Sequence, residues 1–114
     1  AVFCSGLLYH LPEPWKLIKE AGEVSSKIFI WTHYAAKEKA TEVINGYRGA
    51  WYSELGFQDP LSGLSPKSFW VTLTSLHDML ENYGFTHLQV LEDEPEHIHG
   101  PRVAAAAWKG DNKV

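Results

Sequence analysis

Ala1-Val2-Phe3-Cys4-Ser5-Gly6-Leu7-Leu8-Tyr9-His10-Leu11-Pro12-Glu13-Pro14-Trp15 is the stretch whose reading decides the fold. An apolar run, a Ser-Gly turn and a helix that starts at a proline make the strand-turn-helix step of a doubly wound α/β sheet, where ligands bind at the C-terminal ends of strands. The apolar run has no lead-in and no initiator Met precedes it, so the chain is expected to open in mid-fold, at a site edge. Glu13-Pro14 suits a helix start, because proline is tolerated at the first helical position and a carboxylate there favours the helix dipole. Trp15, Leu17, Ile18 and Ala21 then give an apolar face that Gly22 is expected to end or loosen. Ser25-Ser26 turn the chain into Lys27 to Thr32, which is apolar at nearly every position after Lys27, as in a central parallel strand covered on both faces.

Farther along, Ala35 to Ile44 has helix-forming composition and Asn45-Gly46 would terminate such a helix. From Tyr47 to Pro66 the pattern dissolves into glycine, proline and aromatics, which predicts an irregular lid or binding loop. Leu76, Met79, Leu80 and Tyr83 recur at the spacing of one buried helical stripe, with Thr74 or Ser75 as the cap and Gly84-Phe85 as the close. Leu88 and Val90 alternate with His87 and Gln89 as in a half-buried strand, and Glu92 to Glu96 reads as a solvated acidic connection. Val103 to Trp108 carries four consecutive alanines that favour a helix by propensity.

The run from Val2 to Ile18 resembles the fourth strand and following turn of class I S-adenosylmethionine-dependent methyltransferases. Lys27 to Thr32 is similar to their fifth strand, Leu76 to Phe85 to the helix before the sixth, and Val103 to Trp108 to the seventh, so this last run is read as a strand. The resemblance implies an α/β fold, the C-terminal half of a Rossmann-like methyltransferase domain with a mixed sheet. Three parts of that single partial domain are expected: strand-helix-strand over 1–34, an insertion or lid over 35–66, and a helix with a C-terminal strand pair over 67–114. The family's glycine-rich first turn and ribose-binding acid belong to the preceding half of its fold, and no G-x-G-x-x-G string occurs in this sequence. The cofactor implied is S-adenosylmethionine, which this chain alone is not expected to bind tightly.

Composition bounds the alternatives. With 114 residues, 45% of them hydrophobic, the chain can bury one core. Residues 1–50 hold six Lys/Arg against five Asp/Glu and residues 51–114 hold four against nine, a net charge of −4 with no basic footprint for nucleic acid. Nothing in the sequence is long and apolar enough to span a membrane. The single Cys4 excludes an internal disulfide, fits a reducing, cytoplasmic setting, and reads as a small hydrophobic filler of its strand.

On the methyltransferase resemblance, Ser5, Gly6 and Leu7 would edge the cofactor pocket, and Tyr9 and His10 would stand near the transferring methyl group. His10 is the candidate general base, needed where the acceptor must lose a proton; its other reading is a packing role at the helix start. His33 ends the second strand and would face the same crevice with Tyr34; its other reading is a partly exposed loop histidine. Tyr47, Arg48, Tyr52 and Glu54, with Trp51, form a candidate substrate-binding cluster, since arginine clamps a carboxylate or phosphate and aromatics wall a pocket; the other reading is a satellite cluster under a long loop, with Arg48 and Glu54 paired. Similar Tyr-x-Gly-x-x-Tyr-x-Glu runs occur in relatives of the tRNA wobble-uridine modifying branch. His97 and His99 are half of a metal site with no third ligand in sight, so no metal is expected, and Trp70 and Trp108 read as core or interface. Two functions follow as expectations. One is methyl transfer to a small molecule or nucleobase by a longer parent, this chain alone being inactive; the other is a non-enzymatic module that self-associates or binds a partner, the apolar first strand meeting a second copy or the missing N-terminal half.

Overall fold

The structure, a computed structural model, describes residues 1–53, 67–98 and 100–110. Its elements in chain order are β1 (Val2–Ser5), a 3-10 turn (Leu8–His10), α1 (Pro14–Val24), β2 (Lys27–His33), β3 (Glu42–Ile44), β4 (Tyr47–Ser53), β5 (Lys67–Val71), α2 (Leu73–Asn82), β6 (His87–Glu94) and β7 (Arg102–Trp108). They form a four-stranded sheet in the order β1-β2-β7-β6 and a three-stranded sheet in the order β3-β4-β5. β1 and β2 are parallel and β7 runs antiparallel between β2 and β6, so the larger sheet is mixed. The α/β, mixed-sheet expectation holds, and Arg102–Trp108 is a strand despite its alanines. Ala105 and Ala107 are buried while Ala104 and Ala106 lie on the opposite face, so small side chains suit both surfaces of a strand flanked on each side.

Both helices lend their apolar stripes to one core. Ile18 of α1 and Leu76, Met79 and Leu80 of α2 pack with Ile28 and Ile30 of β2 and Val103 of β7. α1 begins with Pro14 at its first position and runs through Gly22 to Val24, where the Ser25 N–H closes on the Ala21 carbonyl. Gly22 lies inside the helix, and its lack of a side chain lets Tyr83 approach: a Cβ there would lie 2.7 Å from the Tyr83 carbonyl oxygen. α2 starts earlier than its stripe indicates. Thr72 is the cap, its Oγ1 accepting from the Ser75 N–H, and Gly84 at φ 99° ends the helix.

Further expectations are corrected. β2 is central but is not a parallel strand covered on both faces: it runs antiparallel to β7, and Phe29 is exposed on the face away from the core. Ala35 to Ile44 is not a helix; only a 3-10 turn at Lys37–Lys39 remains, and Glu42–Ile44 is a strand. Asn45 (φ 55°) and Gly46 (φ 85°) turn a two-residue hairpin that pairs Ile44 with Tyr47, because Asn-Gly is the preferred two-residue hairpin loop as well as a helix stop. The start of the expected irregular stretch is ordered as β4, which pairs with β5. The supposed acidic connection lies largely within β6: Glu92, Asp93 and Glu94 pair with β7 after a register shift between Val90 and Glu92. Their charges have partners there, Arg102 for Glu92 and Glu94 and the Tyr34 hydroxyl for Asp93.

The second sheet is joined to the first by backbone. The Phe69 N–H donates to the Leu11 carbonyl and the Ala35 N–H to the Val71 carbonyl, while Tyr47, Phe69 and Val71 enter the common core. This arrangement brings β5 against the ends of β1 and β2.

Candidate functional site

The C-terminal ends of β1 and β2 lie side by side, the Gly6 N–H donating to the Trp31 carbonyl at 3.1 Å just past the Ser5–Trp31 pair. Gly6, at φ 71°, turns the chain where an L side chain would be strained. Among the described residues a Cβ at Gly6 would meet only the Tyr9 hydroxyl, at 3.9 Å, so the turn's backbone is open to close approach there. Buried Leu8 pins the 3-10 turn to the core, and Tyr9 and His10 follow with ring centroids 4.3 Å apart.

His33, the last residue of β2 and 8% exposed, stands at the centre of an aromatic cluster. Tyr9 meets it edge-on at 4.6 Å, Trp31 edge-on at 5.4 Å, and Trp70 of β5 stacks on it at 5.1 Å. His97 lies 5.7 Å away, and Tyr52 of β4 packs against Trp70 at 4.0 Å. His33 Nδ1 is 3.1 Å from the Gly100 carbonyl and 3.2 Å from that of Pro101. Gly100 is at φ 110°, and a Cβ there would sit 3.0 Å from Trp70 Cζ3 and 3.8 Å from His33 Nδ1. The Trp70 Nε1–H is buried with no acceptor among the described residues. Below, the Arg102 guanidinium lies 5.3 Å from the Trp31 ring and is paired with Glu94, to which its Nε donates at 2.7 Å. That hydrogen bond holds the Glu94 carboxyl below the usual carboxylate range.

Burial raises the Tyr52 phenol, leaving it a neutral donor and wall. Burial, then the hydrogen bond to Asp93, raises Tyr34. Burial also pushes the Cys4 thiol up, which keeps it protonated and inert.

The structure thus gathers Tyr9, His10, His33 and Tyr52 around one set of rings, with exposed Ser5 and Leu7 and the Gly6 turn beside them. Tyr47 is elsewhere, buried in the core, its hydroxyl accepting from Asn82 and its ring stacked with Trp15. Arg48 lines a different cleft, of about 560 Å³, with Tyr34, Lys37, Val43, Leu73 and Asp78. Glu54 and His99 lie outside the described residues. Trp31, Trp70, Gly100 and Arg102 belong to the cluster although the sequence gives them no site role. The alternation of β2 puts Trp31 on the same face as His33, but nothing local marks Trp70 or Gly100, which arrive through strand pairing of a separate sheet.

Comparison with solved structures places this geometry in context. The chain is similar to the N-terminal domain of EvdMO1 solved in the presence of SAH and D-fucose, with 33% identity and a TM-score of 0.83 over 96% of this chain and 46% of that one. It is similar at 32% identity and a TM-score of 0.82 to the same domain solved with SAH bound, there covering 45% of that chain. Against EvdMO1 itself the identity is 28% and the TM-score 0.66, with 96% of this chain aligned to 21% of that one. The chain therefore spans less than half the length of these neighbours. No family model matches the chain, and no curated protein matches it. The fold is that of a methyltransferase-like domain fragment, and nothing in these likenesses points to the tRNA-modifying branch.

Proposed function

We propose that the whole protein transfers a methyl group from S-adenosylmethionine to a hydroxyl-bearing small molecule of the sugar class, and that this chain supplies the acceptor wall and the edge of the donor site. The observation that carries the reading is the convergence of Tyr9, His33, Trp70 and Tyr52 at the ends of β1 and β2, in a fold shared with a domain solved in the presence of SAH and D-fucose. Aromatic faces beside polar groups suit a sugar ring, whose C–H faces are apolar and whose rim is polar.

The residues present fit the donor's reactive end. Ser5 and Leu7 are exposed and Gly6 is half-buried between them, its backbone admitting a ligand where a larger residue would be strained. When bound, S-adenosylmethionine supplies an electrophilic methyl on a sulfonium. The chain's own contribution is then proximity, orientation, exclusion of water by the rings, and a place for the acceptor's proton among His10 and His33. Arg48, in its separate cleft, would hold a more distant part of a longer acceptor.

The reading is tested by incubating the intact protein with methyl-labelled S-adenosylmethionine and D-fucose, then with other monosaccharides. An O-methylated sugar should form in step with S-adenosylhomocysteine. Failure of every hydroxyl compound to accept the label would overturn the reading. A second reading, a partner-binding module, draws support from the stacked pair Phe3 and Phe29, whose centroids are 5.0 Å apart on the sheet face away from the helices.

A further inference from the structure

We propose that Trp70 and His33 together clamp one hydroxyl of the acceptor, and that His33 Nε2 takes its proton. This rests on the methyl-transfer reading and names the residues that would recognise and deprotonate the acceptor. Carbonyl oxygens only accept hydrogen bonds, so the contacts of Nδ1 with Gly100 and Pro101 require the proton on Nδ1. Neutral His33 therefore carries its lone pair on Nε2. The fold fixes this tautomer from behind, through backbone, as an orienting group does for a catalytic imidazole.

Trp70 gives the second, independent observation. Its Nε1–H can only donate, is buried, and finds no acceptor among the described residues. Native interiors leave few such donors, and each needs an explanation. The two rings are nearly parallel, 14° between planes. A donor without a partner and an acceptor nitrogen on stacked rings match a group that accepts from one and donates to the other. A hydroxyl does both. A carboxylate would leave Nε2 unmatched, and an ammonium would leave the indole N–H unmatched.

In the transfer step the hydroxyl oxygen forms the new bond to the methyl carbon as the carbon–sulfur bond breaks. The electrons of that bond pass to sulfur, which becomes neutral, and the hydroxyl proton passes to His33 Nε2. The resulting imidazolium is stacked on the Trp70 ring, whose face favours a cation. Proton acceptance thereby moves from His10 to the imidazole whose tautomer is fixed.

The test uses the intact protein and the same sugar as the transfer assay. The indole N–H resonance of Trp70, identified by its loss in Trp70→Phe, should shift downfield as sugar is added. Trp70→Phe retains an aromatic ring but removes the N–H donor and should weaken sugar binding about tenfold, with S-adenosylhomocysteine affinity unchanged. His33→Gln keeps a side-chain N–H but lacks a basic nitrogen; turnover should fall about 100-fold with sugar affinity held within about threefold. An indole resonance unmoved at sugar saturation, or parental sugar affinity in Trp70→Phe, overturns the clamp. Parental turnover in His33→Gln overturns the proton role. Failure of the underlying reading shows separately, as wild-type protein that methylates no hydroxyl compound, and the inference falls with it.

Discussion

The imidazole of His33 and the indole of Trp70 stack across the junction of two sheets, His33 ending β2 of the larger and Trp70 lying in β5 of the smaller. Neither sheet holds the cluster alone. The strand ends of the larger one supply the histidine and the turn that bears Tyr9, and the smaller one supplies a wall.

Gly100 sets the spacing of that stack. An alanine there would be strained at φ 110° and would press its methyl against Trp70. Gly100→Ala should cost roughly 1–3 kcal/mol and change tryptophan emission in the native state. Denaturant unfolding followed by fluorescence reads both, and a parental midpoint with parental emission would contradict the packing described.

Gly46 and Gly49 separate two reasons for glycine in one hairpin. Gly46 has φ 85°, but an added Cβ there would meet nothing within 4 Å among the described residues, so Gly46→Ala should cost only the left-handed backbone penalty, about 1–2 kcal/mol. A Cβ on Gly49 would lie 2.3 Å from the Trp70 carbonyl oxygen. Gly49→Ala should therefore push β4 off β5 and cost more than about 3 kcal/mol. Equal thermal midpoints for the two variants would be the wrong result for this hairpin.

Glu94 gives a pH signature. Its carboxyl is held low by Arg102, so the pair contributes above the ordinary carboxylate value, and the contribution is lost as pH falls through the lower folded value. Glu94→Gln should melt below the parent at neutral pH and converge with it somewhat below pH ~4. A gap that persists or widens in acid would reverse the assignment.

The stacked pair Phe3 and Phe29 tests what covers the open sheet face. Phe3 is 75% exposed, and Phe29 beside it is also exposed. The 114-residue chain expressed by itself should self-associate with rising concentration, and Phe29→Glu should suppress this. Light scattering over a concentration series decides, with a strict monomer as the contrary outcome.

Much of the larger sheet was legible because its signals are local. The apolar run of β2, the stripe of α2 and the strand-turn-helix from Val2 each carry their meaning in a few residues. Val103 to Trp108 needed the family resemblance to outweigh alanine propensity. The second sheet was hidden by an ambiguity: Asn45-Gly46 ends helices and turns hairpins alike, and only the pairing of Ala35 with the end of β5 decides against helix in the preceding segment. In the same way, the acidic run of β6 looked solvated because its partner Arg102 sits across a strand pair. Of the candidate site, Tyr9, His10 and His33 could be read from their places near strand ends. Trp70, Gly100 and Arg102 could not, since only register and strand pairing bring them there.

The central claim is that the acceptor lies on the rings around His33 rather than in the larger cleft lined by Arg48. The most direct measurement is of nuclear Overhauser contacts from sugar protons in the intact protein saturated with S-adenosylhomocysteine and the sugar of the transfer assay. The account predicts contacts to ring protons of Tyr9, Trp31, Tyr52 and Trp70. Contacts instead to the methyl groups of Val43 and Leu73, which line the other cleft, would contradict it.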